Sequence, residues 1–79
     1  MKVFATSNLL RRKKVISSNL AAVGYAVKRQ ILHVRFKSGS IYEYTGVPKS
    51  EYQNLMNAVS HGKYFYHNIR MKYPYVRIK

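Results

Sequence analysis

Seventy-nine residues carry fifteen Lys and Arg against two acids, Glu43 and Glu51, for a formal net charge of +13. The absence of cysteine excludes a disulfide framework or a cysteine-ligated zinc site, and a chain this short makes one small domain that buries about 60–65% of its unfolded surface. A charge surplus of this size repels itself, so an anionic partner is expected, with nucleic acid the commonest of the class.

Residues 1–16 hold Lys2 and then Leu9-Leu10-Arg11-Arg12-Lys13-Lys14. Two readings stand level: a basic arm or short amphipathic helix that settles on phosphates, and a frayed, solvated terminus. Val3-Phe4 and Val15-Ile16 are the residues able to tie it to a core. Membrane attachment through this stretch is disfavoured, because two leucines bury too little apolar area. The run from Leu20 to Tyr25 falls far short of the ~18 apolar residues a membrane span needs. Met1 to Ser7 lacks the apolar core of a secretory signal, so a cytoplasmic location is expected.

After Ser17-Ser18-Asn19, the residues Leu20 to Val27 read as a short strand, with Val23, Tyr25 and Val27 on one face by period two. Gly24 marks a bulge or a close backbone approach. Lys28-Arg29-Gln30 turns the chain into Ile31-Leu32-His33-Val34-Arg35-Phe36. Ser38-Gly39 then separates that strand from Ile41-Tyr42-Glu43-Tyr44, a hairpin pattern. A two-residue loop would set Val34 opposite Glu43 and mix tyrosines with cations on one face. A three-residue loop, Ser38-Gly39-Ser40, pairs Phe36 with Tyr42, Arg35 with Glu43 and Val34 with Tyr44. The second arrangement is preferred, since each of its cross-strand pairs is favourable. It places Tyr42 and Tyr44 in the core and shows His33, Arg35, Lys37, Ile41, Glu43 and Thr45 to solvent.

Val47-Pro48 ends the strand and opens a helix, with Glu51 at the positive dipole end and Ser50 and Gln53 at capping-box spacing. Tyr52, Leu55, Met56 and Val59 should pack on the sheet, and Gly62 should stop the helix, with His61 near its negative end. Residues 63–70 read as a shorter helix with Phe65 and Ile69 inward and Tyr64, His67 and Arg70 outward. Tyr73 to Lys79 is extended and suits an edge strand, where Pro74 is tolerated. The expected fold is α+β: a three-stranded antiparallel meander with a C-terminal helix and a shorter second helix packed on one face.

In this order the chain resembles the KTSC domain family, named for a module at the C-terminus of some lysyl-tRNA synthetases. The resemblance rests on Ser17-Ser18, Gly24-Tyr25, Leu32-His33-Val34-Arg35-Phe36, Gly39, Tyr42-Glu43-Tyr44, Val47-Pro48, Leu55, Gly62-Lys63-Tyr64-Phe65, Ile69 and Tyr73. The Tyr-x-Tyr step before Val-Pro is its most specific mark. It spans about residues 17 to 75 and leaves the basic arm, 1–16, outside, so the expected organisation is that arm followed by a single KTSC-like domain over 17–79. It also implies a context of small bacterial and phage proteins and, through the synthetase, a hint of RNA. It brings no catalytic residues.

The residues themselves argue against most chemistry. Two glutamates cannot build a two-metal site, His61 and His67 are six apart rather than four, and glycines are too few for a phosphate loop. No cofactor and no metal are expected. His67 with Tyr64, Tyr66 and Arg70 holds the residue types of a metal-free ribonuclease, but a lone His beside aromatics more commonly packs or caps. The leading expectation is therefore a non-catalytic nucleic-acid-binding module for RNA or single strands. Its candidate residues are Arg11, Arg12, Lys13 and Lys14 in the arm, Arg35 and Lys37 at the hairpin, and Arg70, Lys72, Arg77 and Lys79 toward the C-terminus. The alternative is a small regulator, phage-encoded in one version, that docks on an acidic surface of host transcription or translation machinery.

Overall fold

The computed structural model describes residues 13–17 and 19–79, with side chains from Val15 onward. Strands β1 (Lys13–Lys14), β2 (Leu20–Ala26), β3 (Ile31–Phe36), β4 (Ile41–Tyr44) and β5 (Tyr75–Arg77) form one antiparallel sheet in sequence order. Two helices, α1 (Lys49–Asn57) and α2 (His61–Asn68), lie between β4 and β5. The α+β class and the central meander are as expected. The sheet is wider, because the C-terminal segment adds β5 at one edge and the two-residue β1 pairs with Val23 and Ala22 at the other. Arg11 and Arg12 lie outside the described residues.

The β2–β3 ladder sets Val23 opposite Val34 and Tyr25 opposite Leu32, with a bulge between Leu20 and Ala22. The inserted residue lets Leu20 and Val23, three apart, both reach the core. Gly24 is therefore not the bulge. It sits opposite His33, so its strand places no side chain beside the buried imidazole. Val27 lies beyond the strand in the following turn and is exposed rather than sharing the core face.

The hairpin has the expected parity but a different register. Phe36 N–H donates to the Ser40 carbonyl, and Gly39 N–H to the Phe36 carbonyl, each at 2.9 Å. The loop is thus Lys37, Ser38 and Gly39, with Gly39 at φ +100°. Relative to the expected loop, every pair slides by two residues: Val34 faces Tyr42, Arg35 faces Ile41 and His33 faces Glu43. Because the slip is even, the apolar residues keep their face. The opposite face is changed: His33 is wholly buried and Ile41 nearly so. It is not the open basic surface that was expected.

The core gathers Leu20, Val23, Leu32, Val34, Tyr44, Val47, Leu55, Phe65 and Ile69. Leu55 from α1, Phe65 from α2 and Ile69 at the C-cap of α2 are among the inward residues that helical spacing predicted. Pro48 stands at the N-cap of α1 with φ −70°, and no side chain caps that end. The Ser50–Gln53 box does not form, because the helix begins at Lys49, ahead of Ser50. α1 stops at Asn57, so Val59 falls outside it and is fully exposed. Ser60 then caps α2, its Oγ accepting from Lys63 N–H at 3.2 Å. Gly62 is inside α2 rather than a stop. It is buried so closely against the segment leading into β2 that a Cβ would stand 2.7 Å from Asn19 Oδ1. His61 meets the end of α1 as expected, with Nδ1 2.9 Å from the Leu55 carbonyl.

Candidate nucleic-acid interface

Both acidic residues of the chain are engaged inside the fold. Glu43 Oε1 lies 2.8 Å from His33 Nε2, with 12% of its side chain exposed. Glu51, on the first turn of α1 and 7% exposed, accepts from Tyr64 Oη, from Tyr73 Oη at 2.7 Å and from Lys72 Nζ at 3.2 Å. Burial by itself would raise the Glu51 carboxyl, but the three donors outweigh it and hold the group below its ordinary value. Burial, followed by the bond to Glu51, pushes Tyr73 up to about 12 and raises Tyr64 as well. Tyr64 is accordingly not the free outward side chain expected. This knot ties α1, α2 and the segment before β5 together. In sequence, Glu51 shows only as a partner for the helix dipole.

Every Lys and Arg whose side chain is described is exposed. The cations singled out from sequence do not form one patch. Arg35 projects from the face shared with His33 and Glu43. Lys37, in the hairpin loop, reaches the other side, where it joins Arg70 of the segment after α2 in lining an open groove of about 670 Å³. Arg77 pairs with Tyr42 and so shares that face beside the groove. Lys72 is held by Glu51. Lys79 lies at the end of the sheet, where its main-chain oxygen accepts from Ile41 N–H at 3.1 Å. Of Lys13 and Lys14, the backbone alone is described, in the edge strand farthest from β5.

The groove exists because the helices cover only part of the apolar sheet face. Phe65 closes its floor, edge-on at 5.6 Å to both Phe36 and Tyr44. Toward β5 the sheet is uncovered, and Tyr75 lies 5.4 Å from the rings of Tyr42 and Tyr44. The opposite wall is Tyr66, Arg70 and Met71, with the Arg70 guanidinium 4.8 Å above the Tyr66 ring. The lining contains two cations and no carboxylate. Tyr44 is 2% exposed, and burial with the neighbouring Tyr75 and Tyr42 pushes its hydroxyl up to about 12. The Tyr-x-Tyr step is thus groove floor as well as core. From sequence, the two tyrosines belong to the core alone and Tyr75 to an edge segment. The period-two pattern of Tyr75 and Arg77 was the signal that could have placed them on the groove side. Among the described residues, no group of three or more metal-ligating side chains clusters.

The model of the KTSC domain matches residues 16–73. A solved structure, a KTSC domain protein from Yersinia pestis, superposes with a TM-score of 0.84 at 35% identity, covering 89% of this chain and 99% of that one. An uncharacterized protein of Stutzerimonas stutzeri is 41% identical over 56 residues, 71% of this chain and 79% of its own length. A lysine–tRNA ligase of Nostoc punctiforme is 41% identical over 54 residues, which are 68% of this chain but 10% of the ligase.

Proposed function

This chain belongs to the KTSC domain family, and from that premise we propose that it is a non-catalytic module binding RNA or another single-stranded nucleic acid through its basic surface. The observation that carries the reading is the fate of the two carboxylates. With Glu43 against His33 and Glu51 under Tyr64 and Tyr73 and paired with Lys72, neither acid forms an ion pair with Lys37, Arg70 or Arg77. A strand of phosphates is the simplest partner for such a surface. That related modules form part of enzymes named for a tRNA suits an RNA partner.

Affinity on this reading comes from phosphate contacts with the release of condensed counterions. Duplex recognition through the major groove is disfavoured, because α1 carries Lys49 as its only Lys or Arg. For about five phosphate contacts on a single strand, the log–log dependence of the binding constant on salt should have a slope near −3.5. Fluorescence anisotropy with a labelled single-stranded RNA across a salt series measures it, and a slope near zero would overturn the proposal. Capture from lysate before and after nuclease gives a second check. Loss of binding after nuclease supports the proposal, whereas retention of one stoichiometric acidic protein opposes it.

A further inference from the structure

We infer that the aromatic groove between β5 and α2 is a slot for an unpaired nucleobase, with the adjoining phosphates held by Lys37 and Arg70. This rests on the nucleic-acid reading above and adds to it a site and a ligand. Phosphate attraction alone needs cations spread on a surface. It does not need an aromatic cleft with cations at the rim.

Three features of the groove suit a base. Its two sides present rings that are about half exposed, Tyr66 at 56% with the planar Arg70 guanidinium over it and Tyr75 at 54%, so each leaves flat surface for a planar ligand to cover. Its floor is aromatic, Phe36 and Phe65 beside Tyr42 and Tyr44, as a flat heterocycle prefers on leaving water. Its cations come from opposite sides, Lys37 from the hairpin loop and Arg70 from the segment after α2. Stacking over Tyr66 at 4.8 Å holds the Arg70 guanidinium in place before any ligand arrives. A volume of about 670 Å³ lies within the ordinary range of small-ligand sites. The lining carries no carboxylate to repel phosphate. An acidic peptide would satisfy the cations but would leave the facing tyrosines without a planar partner.

A base can enter the slot only if it is out of its own stack, so the site selects single strands over duplexes. Selection by ring stacking is tolerant of base identity, since every base offers a π-face.

The test compares labelled ten-nucleotide strands of equal phosphate count, one with bases and one abasic, in anisotropy titrations at fixed salt. The base-bearing strand is expected to bind about tenfold tighter or more. Tyr66→Ala and Tyr75→Ala are each expected to erase that ratio, and Tyr75→Ala, which leaves the Arg70–Tyr66 stack intact, to leave the abasic strand's affinity unchanged. Both rings are more than half exposed, and circular dichroism checks that each variant is folded. Equal binding of the two strands by the unaltered protein would overturn the slot and leave the phosphate reading standing. Binding of neither strand would overturn both. Equal affinity for the base-bearing strand and its duplex, or displacement of that strand by a decaglutamate peptide at equal concentration, would also overturn the slot.

Discussion

Glu51 shows how far one side chain's role depends on what surrounds it. Its folded carboxyl lies below the ordinary value of 4.5, so the stability it contributes is present above that value. It is lost as the pH falls through the folded pKa. Glu51→Gln keeps the shape but weakens the bonds from Tyr64, Tyr73 and Lys72. At pH 7 it should cost about 1–3 kcal/mol in urea unfolding. The gap between variant and parent should narrow below pH 4. Tyr44 and Tyr73, both pushed up to about 12, act at the other limit. Their contribution is complete below the ordinary tyrosine value of 10 and is lost as the pH rises toward 12. Tyr73→Phe should therefore flatten the alkaline decline in a thermal melting series between pH 9 and 12.

The β3–β4 hairpin is the element on which the groove depends, because its loop carries Lys37 and its register sets Tyr42 and Tyr44. Gly39 holds that loop at φ +100°, with nothing within 4 Å of where a Cβ would stand. Gly39→Ala therefore meets no neighbour, and its cost is conformational, about 1–2 kcal/mol. For a domain of this size that corresponds to a melting-temperature drop of roughly 4–16 °C, measurable by calorimetry. Packing of the helices stabilises the fold by more than this loop does. Leu55→Ala, at a fully buried position of α1, should cost about 2–5 kcal/mol in the same assay.

Over the whole molecule, charge is divided by the sheet rather than concentrated. Lys37, Arg70 and Arg77 lie at or beside the groove, Arg35 projects from the other face, and β1 with its two lysines is the far edge. A strand seated in the groove therefore meets only part of the net charge. Replacing Lys37 and Arg70 together with Gln should reduce the magnitude of the salt slope by about 1.4. Arg35→Gln should leave the base-dependent part of binding untouched, as anisotropy with base-bearing and abasic strands would read out.

Local patterns were enough to find most of the elements. Alternation located β2, β3 and β4, Pro48 and helical spacing located α1, and Phe65 with Ile69 marked α2. Each signal lies within a few residues of what it specifies. Parity was legible in the hairpin for the same reason, because an apolar face tolerates only even slips. Register was not legible, since two alignments two residues apart bury the same face. The choice falls to long-range partners, among them the match of Glu43 with His33 beside Gly24. Glu51 could not be read either, because Tyr64, Tyr73 and Lys72 come to it from 13 to 22 residues away. The sequence by itself determined the class, the basic character and the tyrosines of the core. Tertiary structure alone decided that those tyrosines also line a groove, because an exposed surface is defined by where two short helices end on a five-stranded sheet.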